Sequence, residues 1–193
     1  MKFTALYFGT FNPIHLGHIA LGKYFAKQAD IEAVWFVVTP QNPFKVNEAF
    51  LDDGYRLEMV RLALENEPKL HASEVEFSLP MPHYTIHTLE HLDQVHPDKN
   101  FVLLMGEDNL VHFERWKQAD RILEKVSLFV YPRAHPTPVP QHLLNHKKIQ
   151  LFDAPQWDIA SSAIRKIIRQ GGTVEHLMPP ASWAYLVKNG FYQ

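Results

Sequence analysis

Two imidazoles three residues apart, His15 and His18, follow the run Gly9-Thr10-Phe11-Asn12-Pro13-Ile14 and open a segment of helical apolar spacing. Residues at i and i+3 share one face of a helix, so both rings project from the same side of its first turn. The free N–H groups and the dipole of such a turn favour an anion, and glycine lets a ligand approach the main chain. A phosphate chain held by one or two imidazole donors is one chemistry open to this segment. A pair of zinc ligands is a second, although the chain has no Cys and no carboxylate stands as an obvious third ligand. Capping or surface histidines, two among twelve, are a third, and spacing alone leaves all three open.

The neighbouring elements must hold this loop in place. Phe3–Gly9 is an aromatic-rich apolar run that reads as a strand, and His15–Ala29 carries Ile19, Ala20, Leu21, Tyr24 and Phe25 at helical spacing. Ala33–Thr39 is apolar on both faces, as in a central parallel strand, and Pro40-Gln41-Asn42-Pro43 ends it. Asp52 and Asp53 can cap a helix to about Asn66, Leu70–Phe77 is a weaker strand, and Tyr84–Val95 is a helix. Phe101–Met105 and Val126–Tyr131 are buried strands with a short helix, Gln118–Lys125, between them; Lys148–Phe152 is an edge strand. Ser161–Gln170 sets Ile164, Ile167 and Ile168 on one face and has Gly171-Gly172 past its end, and Ser182–Asn189 is a last amphipathic piece. Strands alternating with helices predict an α/β fold with a doubly wound parallel sheet, whose ligands bind beyond the carboxyl ends of the strands.

A chain of 193 residues fits one domain across 1–193, and no repeat or long linker divides it. With 46% apolar residues and a net charge of −2, it is neither disordered nor the clustered polycation that nucleic acid requires. The absence of Cys suits a reducing compartment, and no secretion pattern or membrane-length apolar run is found, so the cytosol is the expected location. Neither G-x-G-x-x-G after a strand nor G-x-x-x-x-G-K-[ST] occurs.

The segment His15-Leu16-Gly17-His18 resembles the H-x-G-H signature of the nucleotidyltransferase superfamily, with the G-T-F-x-P-x-H approach of its adenylyltransferases before it. A second signature, an S-S/T-x-x-R helix start, is matched by Ile159-Ala160-Ser161-Ser162-Ala163-Ile164-Arg165, about 145 residues later. Length and the runs Asn42-Pro43-Phe44-Lys45, Tyr55-Arg56-Leu57-Glu58-Met59, Tyr84-Thr85 and Gly106-Glu107-Asp108 with Trp116 resemble the bacterial nicotinate-nucleotide adenylyltransferases. Four positions depart from that pattern: Phe8 stands for a glycine, Asn12 for aspartate, Phe44 for histidine and Ala163 for threonine. Asn12 lacks a carboxylate to orient substrate or metal, and Phe44 removes a phosphate donor.

The resemblance implies a Rossmann-like nucleotidyltransferase fold, with the second phosphate motif in a C-terminal helical part, about residues 159–193. It implies adenylyl transfer from ATP to nicotinate mononucleotide, giving deamido-NAD and pyrophosphate. His15, His18 and Arg165 would be catalytic, and Gly9, Thr10, Phe11, Gly106, Ser161 and Ser162 would join them around ATP. A nearby polyanion would favour protonated, double-donor imidazoles. Ser161 or Ser162 would cap its helix. Lys45, Thr85, Asp108, Trp116 and Lys117 would bind the mononucleotide, Trp116 by stacking and the main-chain N–H groups of Thr85 and Lys117 by holding the nicotinate carboxylate. Mg²⁺ would arrive with ATP and needs no protein ligand. The partners are these small molecules, without nucleic acid or membrane, and a homo-oligomer is compatible with the sequence. Competing readings are a nicotinamide-mononucleotide, phosphopantetheine or cytidylyl transferase, a non-catalytic ATP-binding regulator, and a zinc protein. Adenylyl transfer requires that the histidine pair and Arg165 converge on one triphosphate.

Overall fold

Segments apolar on both faces become the inner strands of one sheet, because helices cover them above and below. The computed structural model describes residues 1–40, 51–133 and 138–193. Its strands are β1 (Phe3–Gly9), β2 (Ile31–Val38), β3 (Leu70–Ser73), β4 (Phe101–Gly106), β5 (Ser127–Tyr131) and β6 (Ile149–Leu151). All pairs are parallel and the order is β3-β2-β1-β4-β5-β6, a doubly wound, Rossmann-like arrangement that bears out the expected fold class.

Eight α-helices among the described residues connect or flank these strands: α1 (Leu16–Ala26), α2 (Asp53–Leu64), α3 (Thr85–Val95), α4 (Glu107–Leu110), α5 (Ala119–Lys125), α6 (Gln141–Leu144), α7 (Ser161–Arg169) and α8 (Pro180–Asn189). The period of two along each strand separates two cores. Ala5, Tyr7, Val34, Phe36, Val102, Leu104 and Phe129 pack against α1, α2, α7 and α8. Leu6, Val37, Leu103, Met105, Leu128 and Val130 pack against α3, α4, α5 and α6. The helical part after residue 159 thus shares the first core.

Several boundaries move by one to three residues from the sequence expectation. Asp52 caps α2 through its Oδ1, which accepts from the Gly54 N–H at 2.9 Å. The weak strand at 70–77 stops at Ser73 and gives way to a 3₁₀ turn, Val75–Ser78. Gly171, at φ 76°, takes the left-handed conformation that ends α7, and the Gly172 N–H bonds back to Ile167 O at 3.0 Å. Strand order reverses between β1 and β4, so the crevice beyond Gly9 and Gly106 is where the loop chemistry gathers.

Candidate active site

His15 stands just before α1 with extended backbone, φ −145° and ψ 170°. Its main-chain N–H donates to His18 Nδ1 at 3.2 Å, and the two rings stack with centroids 3.6 Å apart and planes 22° from parallel. With Nδ1 accepting, the neutral His18 ring carries its proton on Nε2. Burial, reinforced by the Arg133 charge, lowers the His15 pKa to about 4; burial, His15 and Arg133 hold His18 well below its ordinary value. A proton on His18 Nδ1 would face a main-chain N–H, so without a polyanion beside it the ring is a single donor through Nε2. Two stacked rings also present faces to each other rather than lone pairs to one ion, which is poor geometry for a shared zinc.

The stack rests on aromatic rings. Phe11, 2% exposed, meets His18 edge-on at 5.1 Å and Tyr7 at 5.6 Å. Phe11 thus contributes a buried floor through its side chain. Gly17 explains the fourth motif position: a Cβ there would lie 3.1 Å from His15 Nδ1 and 3.2 Å from Trp157 Cβ, forcing the stack or its neighbour to shift.

The late motif docks onto the same loop. Ser161 Oγ donates to Pro13 O at 2.9 Å, and Arg165 Nη1 donates to Asn12 O at 2.7 Å. The N-cap of α7 is Ala160, a correction to the expected serine cap: the Ser161 hydroxyl is turned toward Pro13 instead, and Ser162 is exposed. Neither α1 nor α7 has an acidic residue in its first turn, so the positive ends of both dipoles stay uncompensated there.

Sequence reasoning missed two residues that hold this loop. Arg56 is completely buried and donates to Thr39 O at 3.0 Å, Pro40 O at 3.1 Å, Leu51 O at 2.9 Å and Thr10 O, and it pairs with Asp53. A legible signal existed, since Arg56 lies three and four residues before the buried Met59 and Val60, on the core face of α2. Tyr192 OH donates to Asn12 Oδ1 at 2.6 Å, and burial pushes the pKa of that hydroxyl up. Asn12 Oδ1 also accepts the Leu51 N–H at 3.4 Å, while Nδ2 has no partner among the described residues.

Beyond Gly9 and Thr10 opens a cleft of about 560 Å³ whose far wall includes Thr85, Trp116 and Lys117. Thr85 begins α3, and Trp116 packs on Phe113 at 5.6 Å. Lys117 brings its side chain as well as its main chain, with Nζ 4.5 Å from the centre of the Tyr84 ring. Asp108 is set apart from this wall. Its Oδ1 accepts from Arg133 Nε at 3.1 Å, directly above Gly106, where a Cβ would come within 2.2 Å of that oxygen. Arg133, which the motifs did not single out, lies 5.2 Å from the centre of the Tyr131 ring. Lys45 and Phe44 lie outside the described residues. Among the described residues no group of three or more His, Asp or Glu is placed to hold a metal ion.

This geometry can bind an extended anion between two helix ends and a flat ring beside Trp116. A family model described as cytidylyltransferase-like matches residues 6–167. The protein of Flavobacterium johnsoniae named "probable nicotinate-nucleotide adenylyltransferase" is 45% identical over 97% of this chain and 97% of its own. Its namesake in Bacteroides thetaiotaomicron is 37% identical over 95% of this chain and 90% of its own. Among solved structures, a Plasmodium falciparum nicotinic acid mononucleotide adenylyltransferase complexed with NaAD has the same fold, with a TM-score of 0.84 at 19% identity, covering 100% of this chain and 98% of that one. The chain therefore belongs to the cytidylyltransferase-like family of nucleotidyltransferases, among relatives named for nicotinate-nucleotide adenylyl transfer.

Proposed function

We propose that this chain transfers the adenylyl group of ATP to nicotinate mononucleotide, giving deamido-NAD and pyrophosphate. An oxygen of the mononucleotide phosphate attacks the α-phosphorus in line, a P–O bond forms there, and the bond from that phosphorus to the bridging oxygen of the β-phosphate breaks. Such chemistry asks the protein for alignment and for donors around the spreading charge. The observation that carries this reading is the pair of bonds from Ser161 to Pro13 and from Arg165 to Asn12, which bring two uncompensated helix ends and the histidine stack to one place. His18 Nε2–H and His15 donate to the α-phosphoryl oxygens; Arg165, Ser161, Ser162 and the first N–H groups of α7 receive the departing phosphates.

Gly9, Thr10, the Phe11 main chain and Gly106 line the path of the nucleotide. Thr85, Trp116 and Lys117 take the pyridine ring and its carboxylate, with the Lys117 ammonium an added partner for an acid. Asp108 and Lys45 serve the sugar and phosphate of the acceptor. Mg²⁺ would arrive with ATP and would supply charge neutralisation. No helix among the described residues is long and apolar enough to cross a membrane, and the cytosol is the compartment this reading assigns. The test is pyrophosphate release from Mg-ATP with nicotinate mononucleotide, nicotinamide mononucleotide and phosphopantetheine, with CTP as the alternative donor. Release with nicotinate mononucleotide and ATP supports the reading; its absence, or a clear preference for phosphopantetheine or CTP, overturns it.

A further inference from the structure

Two deeply buried polar atoms of the cleft-lining residues have no hydrogen-bond partner among the described residues, Glu76 Oε2 and His83 Nδ1. Glu76 is 1% exposed and His83 8%. The turn Val75–Ser78 tucks Glu76 beneath α3, where Thr88 Oγ1 donates to its Oε1 at 2.7 Å and Thr39, just past β2, supplies a second hydroxyl. No salt bridge to Glu76 is formed among the described residues. Among otherwise neutral and mostly apolar lining residues, two side chains are cationic: Lys117, over Tyr84, and Arg115. A carboxyl in this setting is anomalous, because the cleft is assigned above to a ring that itself bears a carboxylate.

We infer that the charge on Glu76 sets the choice between an acid and an amide on the acceptor ring. Uncharged, Glu76 leaves the wall to its cations and has an O–H to offer a carboxylate. Ionised, it opposes a carboxylate across a low-dielectric wall and favours an amide NH₂. No bond is made or broken; one proton on the carboxyl decides. The inference rests on reading this cleft as the acceptor site.

Burial raises the Glu76 pKa, against the hydrogen bonds from Thr88 and Thr39 that lower it. The acid preference is therefore greatest at low pH and declines as pH rises through that raised value. Facing the same cleft are His83 from the segment before α3, Tyr84 at its start, Arg115 and Lys117 ahead of α5, and Tyr131 from β5. Of these, only His83 has an ordinary pKa between 5 and 8, and burial pushes it down, with Asp53 opposing.

The experiment measures kcat/KM for nicotinate and nicotinamide mononucleotides, and takes their ratio, across the whole pH range in which the protein stays folded. Both acceptors share the phosphate, the ATP and the histidine stack, so those titrations cancel in the ratio. The wild-type ratio is expected to fall about tenfold or more with rising pH, the scale of one charge–charge repulsion at partial screening. Glu76→Gln, permanently uncharged, is expected to hold a flat ratio, and His83→Gln to keep the wild-type slope. Thr88→Val, which removes a bond favouring the ionised form, is expected to move the fall to higher pH; it serves if Glu76→Gln folds poorly. A wild-type ratio that does not change with pH, or a Glu76→Gln ratio that changes as the wild type does, overturns the inference. Absence of pyrophosphate with either acceptor at every pH would instead overturn the proposed function.

Discussion

At the end of the cleft assigned above to the phosphates, main-chain carbonyls are held by side-chain donors: Arg56 serves Thr10, Thr39, Pro40 and Leu51, Arg165 serves Asn12, and Ser161 serves Pro13. At the acceptor end, Glu76 Oε2 and His83 Nδ1 have no partner among the described residues, and Lys117 is held by a ring face. The first end needs donors at fixed points, because a transition state is stabilised only by groups already in place. The second end, under the proposed function, must admit and release a ring. The clamp on the main chain therefore distinguishes the first end, while each end keeps two buried polar atoms without a partner among the described residues, Asn12 Nδ2 and His15 Nδ1 at the first and Glu76 Oε2 and His83 Nδ1 at the second.

Removing the clamp at the rigid end is expected to have the largest effect. Arg56→Ala leaves several carbonyls and Asp53 without their cation and should lower unfolding free energy by about 3–5 kcal/mol, measured by denaturant titration. Arg56→Lys should recover little, since one ammonium cannot span the points that the planar fork reaches. His18→Ala should lower kcat for pyrophosphate release by about 10²–10³ and leave the KM for the mononucleotide within about twofold. If instead that KM rises strongly while kcat holds, the division between the two ends is wrong.

Acid should loosen the phosphate end in a defined window. His15 has its folded pKa depressed to about 4, mainly by burial, so the unfolded chain binds its proton first. Stability from this group is fully present above about pH 6.5 and is lost as pH falls toward 4, a difference of about 3 kcal/mol. Thermal melts should show that fall, and His15→Asn should reduce it. Trp116→Ala is expected to raise the KM for the mononucleotide about five- to tenfold with a smaller change in kcat, by loss of ring stacking. The smallest effect belongs to Tyr192→Phe, about 1 kcal/mol in stability from one hydrogen bond, with the acid-to-amide ratio unchanged.

Much of this arrangement could be read from the chain before any coordinates. The strands at Phe3–Gly9 and Phe101–Met105, the second ending one residue later in the structure, announce themselves because burial on both faces demands unbroken apolar runs. His15 and His18 were legible as a pair whose spacing admits phosphate among other ligands, and Ser161 and Arg165 through the resemblance to the second nucleotidyltransferase signature. The short helices α4 and α6, four residues each, were not, since one turn carries no periodicity. The strand expected through Phe77 failed at Ser73 because Glu76 turns inward to Thr88, a partner twelve residues away that no local pattern names. The serine cap of α7 failed for the same kind of reason: the Ser161 hydroxyl found Pro13, 148 residues earlier, instead of its own helix.

Residue type and order determined on their own the alternation of strand and helix and the kinds of functional group in the two motifs, because hydrophobic period and functional-group identity are local properties. Tertiary structure alone decided that Arg56 clamps the first loop, that Tyr192 reaches Asn12 across 180 residues, that the imidazoles stack with His18 Nδ1 already committed as an acceptor, and that Asp108 turns to Arg133. Hydrogen bonds and desolvation depend on what packing brings within about 3 Å, and sequence distance carries no record of that.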